Sequence, residues 1–505
     1  MAEENIKRKA FGGVLWSYAN TFGVQLLQLI PAMVLARLLS PSEYGLIAIS
    51  AILTGFVQIF VNCGFSMALI QKKDATHIDI CSVFYFNIVA SIVIYLFLFC
   101  VAPFVSDFFR QPEVCTIMRV SSFSMVIGAV GAVHNTLFAK KLEYRKPTIR
   151  NLIVTALSAV VAIILAYMGY GYWALVIQGV LSTSLMTVFN WTMSSWRPTL
   201  EFSMQSLRGL FGFGSKLLGK SLTDYGFGKL YDLVIGRFYT PVDLSYFNRA
   251  NSTQSIFTDT FLMVMNSVAF ASFSKMQDDF QRMRTNVLRF FKIEIMIISF
   301  IMLLIICLAE PIFHFMYSSK WDAVIPMFRI VCVWGLFRPI SAVFANGLMA
   351  HGDSGACFRN SIIGRSLNVL FLLVTWKFGI MVMIMGQVLA YLIEIFLYTF
   401  SFNNVFTYST WDMVKDIVPY YAVSGCLCAC IWGFDHFVMT NVMAWVDTEI
   451  LNALLRLLIC GLGGVFVYIQ IHKRLQMKAY VDFREIVLDA TKSRPGVNRV
   501  ATALL

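Results

Sequence analysis

VLARLLSPSEYG, Val34 to Gly45, closes a long apolar run on an arginine, turns at Ser-Pro and restarts on a glutamate; VIGRFYTPVDLS, Val234 to Ser245, does the same 200 residues later. Aligned without a gap, Val34, Arg37, Pro41 and Glu43 fall on Val234, Arg237, Pro241 and Asp243, and Ser40 falls on Thr240. Further matches follow at an offset of 209: Ile149-Arg150-Asn151 on Phe358-Arg359-Asn360, and Gln178-Gly179-Val180 on Gln387-Val388-Leu389. Between these anchors Arg119 and Asn135 correspond loosely to Arg329 and Asn346. Two copies of one unit, in the same order and direction, are a plan common among transporters.

Soluble domains average about half apolar and a quarter charged residues. This chain of 505 residues is 58% hydrophobic and 13% charged, with a mean hydropathy of +0.71. It reads as an integral membrane protein whose function is built inside the bilayer, since no hydrophilic block is long enough for a separate soluble domain. The net charge of +12 does not point to nucleic acid, because no basic cluster with interleaved aromatics sits on a soluble module. Apolar windows of about 20 residues predict an all-α protein of roughly fourteen transmembrane helices, the first over 12–38, the ninth over 287–315 and the last over 450–471.

Basic residues near span ends stay in the cytoplasm. One alternating set of connections holds Lys7, Arg8 and Lys9, Lys72 and Lys73, Lys140, Lys141, Arg145 and Lys146, Lys275, Arg282 and Arg284, and then Lys473, Arg474 and Lys478. Both termini are therefore expected in the cytoplasm, which requires an even number of spans. The first span, anchored by Lys7-Arg8-Lys9, reads as a membrane helix and not as a cleavable signal. The repeat gives a first six-helix lobe over 1–200, a second over 201–405, two added helices over 406–472 and a basic cytoplasmic tail over 473–505. Parallel lobes leave a central cavity that opens to either side as one rocks against the other.

Charges well inside spans are costly and usually face a wet cavity or a partner. The candidates are Arg119, then Lys216, Lys220, Asp224, Lys229 and Asp232 on the seventh span, Arg249 on the eighth, and Arg329 and Arg338 on the tenth. Helical spacing puts Lys216, Lys220 and Asp224 on one face and makes Lys229 and Asp232 a separate pair. Local neutralisation, Lys220 by Asp224 and Lys229 by Asp232, still leaves cations over, which favours an anionic ligand. Arg329 and Arg338 fall on opposite faces, so one of them is expected at the cavity. In the opening motif Arg37 and Arg237 end their helices, Ser/Thr-Pro makes the corner, and the acidic residue favours the next helix start; its repetition speaks of architecture.

No catalytic constellation stands out, and no metal or cofactor motif is present. Cys426, Cys428 and Cys430 read as small apolar residues of a span. The longest outward connection, near Trp432 to Glu449, carries Asp435, His436, Asp447 and Glu449 without Lys or Arg, which is poor ground for a catalytic site.

VLARLLSPSEYGLIAIS from Val34, GFSMALIQKKDAT from Gly64, DLVIGRFYTPVDLSYFNRA from Asp232 and AFASFSKMQDDFQRMR from Ala269 resemble the Wzx-type polysaccharide transporters of the MOP flippase superfamily, in the branch of lipopolysaccharide, capsule and colanic acid exporters. The resemblance runs through essentially the whole chain and departs from the family at Ala271-Ser272, where a proline is expected. It implies a MATE-like fold and export of undecaprenyl-pyrophosphate-linked oligosaccharides across the bacterial inner membrane, for O-antigen, capsule or exopolysaccharide assembly, with polysaccharide assembly proteins as further partners. Such a cargo needs cations for the pyrophosphate or acidic sugars, and Arg119, Lys216, Lys220, Arg249 and Arg329 are the candidates. Asn20, Gln25 and Gln28 of the first span are candidates for glycan contacts, or equally for helix packing.

Two other functions compete. A MATE-type multidrug or cation antiporter is expected to carry an intramembrane carboxylate in its first lobe, and the first span has none. The peptidoglycan-precursor flippase carries an Arg-Asp pair in its first span that is absent here. A membrane glycosyl polymerase or ligase needs a sizeable outward loop, and the outward loops are short. In the tail, KAYVDFREIVLDA reads as an amphipathic helix suited to anionic lipid or a partner.

Overall fold

The computed structural model describes residues 23–491 apart from 26, 63–64, 73, 275, 277–278, 440 and 442–447. The described residues are helical and form no strand. In order, the first helices are α1 (Gly23–Leu38), α2 (Pro41–Asn62), α3 (Phe65–Gln71), α4 (His77–Phe109), α5 (Pro112–Lys140), α6 (Arg145–Tyr167), α7 (Trp173–Met193), α8 (Met204–Phe238) and α9 (Pro241–Ser274). After them come α10 (Phe280–Cys307), α11 (Ala309–Met316), α12 (Val324–His351), α13 (Ser354–Thr375), α14 (Ile380–Phe406), α15 (Thr410–Met439), α16 (Glu449–Arg474) and α17 (Lys478–Thr491).

Among the described residues, eleven helices are long and apolar enough to cross a membrane. At 35 and 34 residues, α8 and α9 have the length but do not join them, for α8 carries Lys216, Lys220, Asp224, Lys229 and Asp232 and α9 carries Arg249 and Asp259. The span expected over 287–315 is two helices, broken between Cys307 and Ala309. Pro311 accounts for the break, because its ring has no N–H to donate and would crowd the carbonyl of Cys307 one turn back. α9 runs on through Ala271 and Ser272.

The repeated motif is one device used twice. The Ser40 hydroxyl donates to Glu43 Oε2 at 2.8 Å and its N–H donates to the same oxygen at 2.7 Å, while the Glu43 N–H donates back to Ser40 Oγ at 3.4 Å. At the second corner Thr240 Oγ1 and N–H donate to Asp243 Oδ2 at 2.7 and 3.1 Å, and the Asp243 N–H returns to Thr240 Oγ1 at 3.1 Å. Each is a reciprocal capping box with proline at the first helical position, where its absent N–H costs nothing. The two corners also meet: a side chain on Gly45 would run into the backbone carbonyl of Pro241.

The chain divides by packing into Met1–Ser245 and Tyr246–Leu505. In the first unit α5 packs on α4 and α7, α6 on α7, and α8 on α2, α3 and α4. Membrane helices gain little from burying apolar area against one another, so close approach over small residues and hydrogen bonds hold them instead. At the α5–α7 contact a Cβ on Gly131 would come within 3.0 Å of Thr187 Oγ1 and 3.1 Å of Asn190 Nδ2. In the second unit α10 lies against α12 and α15, and α14 against α12 and α13. Within it runs an aromatic stack, Phe344 on Phe402 and Phe402 on Phe406 at 4.3 Å each, with Phe280 on Phe406 at 5.4 Å.

α17 docks on α10. Arg289 pairs with Asp482 at 3.0 Å and with Glu485, and the Ala479 N–H donates to Tyr420 Oη at 3.2 Å. Ala479 and Tyr480 are buried, whereas Val481 and Ile486 remain exposed. Burial pushes the Tyr480 phenol above its ordinary pKa.

Candidate functional site

Within the first unit, a cavity of about 220 Å³ is lined by Thr54, Gly55 and Gln58 of α2, Leu98 of α4, and Ser121, Ser122, Ser124 and Met125 of α5. Its wall sets hydroxyl and amide groups beside the apolar side chains of Leu98 and Met125 and carries no carboxylate. Ser122 Oγ donates to the Met118 carbonyl at 2.6 Å and Ser124 Oγ to that of Ser121 at 2.6 Å, so each oxygen keeps lone pairs for a ligand. The Tyr225 hydroxyl of α8 donates to the Ala51 carbonyl at 3.0 Å, and a side chain on Gly55 would collide with the phenol. The sequence SSFS inside an apolar span was the available signal for this site, and Gln25 and Gln28, expected as glycan contacts, are not among its lining residues. Gln25 is half-buried and Gln28 exposed on α1, and Asn20 lies outside the described residues.

The predicted cations do not form one cluster. Arg119 is half-buried beside the serines on α5; its Nε donates to the Phe99 carbonyl at 3.3 Å and its guanidinium lies 4.2 Å from the Phe99 ring. On α8, Lys220 donates to Asp224 at 3.0 Å and Lys229 pairs with the buried Asp232. Lys216 is exposed and makes no hydrogen bond or ion pair with any described residue.

In the second unit Arg249 sits in an aromatic box, 4.7 Å from the Tyr317 ring and 5.0 Å from the Trp321 ring. Thr253, one turn on, shares a 3.0 Å hydrogen bond with Tyr317 Oη. Arg338 pairs with Asp259 of α9 and lies 5.0 Å from the Trp334 ring, which in turn stacks on Tyr391 at 4.7 Å. Arg329, on the opposite face of α12, is exposed and makes no hydrogen bond or ion pair with any described residue. The geometry therefore separates cations already committed to protein partners from two, Lys216 and Arg329, whose donors are available to a ligand.

Several buried charges were not singled out from the sequence. Arg150 is 4% exposed, and its guanidinium donates to Asn135 Oδ1 at 2.5 Å, to Asn190 Oδ1, and to Asn151 Oδ1 at 2.8 and 3.1 Å. A full charge is thus held by amide dipoles, with no carboxylate in reach among the described residues. Glu294 of α10 is fully buried with both carboxylate oxygens lacking a hydrogen-bond partner, and Glu394 of α14 packs against Gly364 within the field of Arg365. Asp435 is bound by Arg456 through Nε at 2.8 Å and Nη2 at 2.6 Å, a buried bidentate pair joining α15 to α16. Glu449 accepts the Ser319 N–H at 2.9 Å. Asp435 and Glu449, the acids that the structure describes at the two ends of the connection between α15 and α16, are thereby both engaged by protein groups.

Many long apolar helices, a capped corner motif used twice and cations within the helices define a multi-pass membrane protein of the transporter type. The chain belongs to the polysaccharide biosynthesis protein family Polysacc_synt_3, which matches residues 34–326, from the first valine of the opening motif onward. It is similar to the succinoglycan biosynthesis transport protein ExoT of Rhizobium meliloti (strain 1021), 25% identical over 69% of this chain and 70% of that one. The lipopolysaccharide biosynthesis protein WzxC of Escherichia coli (strain K12) is 23% identical over 71% of this chain and 73% of its own. In fold the chain is similar to the lipid II flippase MurJ in an inward closed conformation, with a TM-score of 0.71 at 15% identity over 92% of this chain and 100% of that one. An inward-facing multidrug resistance MATE family transporter of the MOP superfamily follows at 0.56 and 14% identity, over 77% of this chain and 96% of that one. The fold is that of the MOP superfamily.

Proposed function

We propose that this protein is a flippase of the bacterial inner membrane that carries undecaprenyl-pyrophosphate-linked oligosaccharides from the cytoplasmic to the periplasmic leaflet by alternating access of its two lobes, with both termini in the cytoplasm. The proposal rests first on family membership and on relatives named for succinoglycan transport and lipopolysaccharide biosynthesis. The observation that carries the chemistry is the sign of the exposed, uncommitted charge on α8 and α12. Lys216 and Arg329 offer donors to an anion, and the hydroxyl-lined cavity beside Arg119 offers neutral polar contacts to sugar. A multidrug cation exporter would need carboxylates in those places. A pyrophosphate takes charge-assisted hydrogen bonds well, and a glycan takes hydroxyl and amide contacts.

The test is translocation in proteoliposomes of a fluorescent polyprenyl-pyrophosphate oligosaccharide, with ethidium as a parallel cationic cargo. Movement of the lipid-linked sugar alone is the expected result; movement of ethidium alone would replace this reading with multidrug export.

A further inference from the structure

The segment joining α7 to α8 has two unlike faces. In an extended chain successive side chains point to opposite sides, and over residues 199–204 one side is polar and tied down. His77 Nε2 and Thr199 Oγ1 lie 3.0 Å apart, and the Ser203 N–H donates to Ser82 Oγ at 2.9 Å. Trp196 clamps the segment further: its Nε1 donates to His77 Nδ1 at 3.2 Å, and its ring meets Phe84 at 5.7 Å and His134 at 5.4 Å. The other side is Leu200, Phe202 and Met204, with Leu200 97% exposed. A linker anchored so firmly to α4 that turns Leu200, Phe202 and Met204 out along one side, with Thr199 and Glu201 exposed on the other, is shaped to receive something apolar on that one side.

What it faces is a groove of about 680 Å³. Phe65, Tyr85 and Phe86 form the wall of α3 and α4, with Phe65 and Phe86 in edge contact at 4.6 Å. Phe202 and Phe211 form the wall of the linker and α8. Its single charged lining residue is Arg208, exposed and without a hydrogen bond or ion pair among the described residues. Lys72, Lys140 and Arg197 stand at the same end of the unit, where Lys140 Nζ donates to the Lys72 carbonyl at 2.6 Å. The basic-residue rule puts that end in the cytoplasm, so the groove opens within the cytoplasmic leaflet with Arg208 near headgroup depth.

We infer that this groove is the loading site for the polyprenyl chain of the cargo, with Arg208 engaging its phosphate. The inference rests on the flippase reading and adds to it a lipid-chain subsite on the first unit, apart from the cations of the transport path. Aromatic walls on both sides suit a single methyl-branched isoprenoid strand. Arg208 supplies charge complementarity at the one place where the lipid is anionic.

The experiment uses the full chain in vesicles of phosphatidylethanolamine and phosphatidylglycerol. Undecaprenyl phosphate carrying a diazirine in its chain, and phosphatidylglycerol carrying the same group, are photolysed separately and the labelled peptides mapped. Labelling by the polyprenyl probe in 200–211 and 85–89, displaced by unlabelled undecaprenyl phosphate and weakened about tenfold in Arg208→Gln, a charged hydrogen bond's worth, is the expected result. Equal labelling of the groove by phosphatidylglycerol, or polyprenyl labels confined to other segments, overturns the inference. Mapping on the wild type does not depend on a variant folding, and because the probe carries no sugar it reads the groove even if oligosaccharide translocation fails. Conversely, Phe202→Gln and Arg208→Gln proteins that translocate lipid-linked sugar at the wild-type rate would sink the groove while leaving the flippase reading in place.

Discussion

Arg150 shows how a membrane protein holds a charge without a counter-ion. Three asparagine oxygens, from α5, α6 and α7, accept from one guanidinium, and the Asn190 amide passes the contact on to the Gly131 carbonyl at 3.1 Å. Removing the guanidinium leaves the buried Asn190 oxygen unsatisfied and takes a partner from Asn135 and Asn151, so Arg150→Met is expected to lower stability by about 1–3 kcal/mol. Arg150→Lys recovers only part, because one ammonium cannot reach three acceptors in a plane. Thermal unfolding in detergent followed by size-exclusion chromatography measures both; a Lys variant as stable as wild type would show that charge alone matters. Sequence reading recognised Arg150 and Asn151 only as markers of the repeat, because their partners, Asn135 and Asn190, are distant along the chain. Intramembrane lysines and acids one turn apart, such as Lys220 and Asp224, were legible because helix geometry sets their spacing. Arg338 with Asp259, or Arg456 with Asp435, required knowledge of which helices touch.

At the scale of elements, apolar periodicity and charge placed most helix ends to within a few residues, since insertion into a bilayer demands long apolar runs whatever the tertiary packing. The interruption after Cys307 went unread because hydropathy continues across it; only the backbone consequence of Pro311 reveals it. The tail helix was legible as amphipathic, but its docking was not, since the acids that meet Arg289 lie almost two hundred residues away in sequence. The corner motif was legible as a helix–turn–helix, and the structure adds that its two copies touch. Gly45→Ala forces a methyl group into the Pro241 carbonyl, and overpacking of this kind costs about 1–3 kcal/mol. Ser40→Ala removes a cap worth about 1 kcal/mol without touching the contact. Combining them tests whether the corners act as one joint. Losses that add within error mean the cap and the contact are independent, whereas a double variant no worse than Gly45→Ala alone means the contact depends on a formed cap.

For the molecule as a whole, the distribution of partners among the cations divides folding from transport. Lys220 and Arg338 pair with Asp224 and Asp259, so replacing either by glutamine removes an ion pair that joins protein groups and is expected to lower the amount of folded protein. Lys216 and Arg329 neutralise no described residue, and their loss leaves no carboxylate behind. Each of Lys216→Gln and Arg329→Gln should therefore express at the wild-type level and lower the initial rate of translocation of a polyprenyl-pyrophosphate oligosaccharide at subsaturating cargo by about tenfold, the value of one hydrogen bond to a charged group. Replacement of Lys216 by Arg should retain most of the rate, since the charge persists. If cargo contacts both residues in the same step, the double variant falls below the product of the single losses or matches one of them. If both single variants translocate at the wild-type rate while Arg119→Gln does not, the anion is held instead at the serine-lined cavity of the first unit, where Arg119 stands on the same helix as Ser121, Ser122 and Ser124.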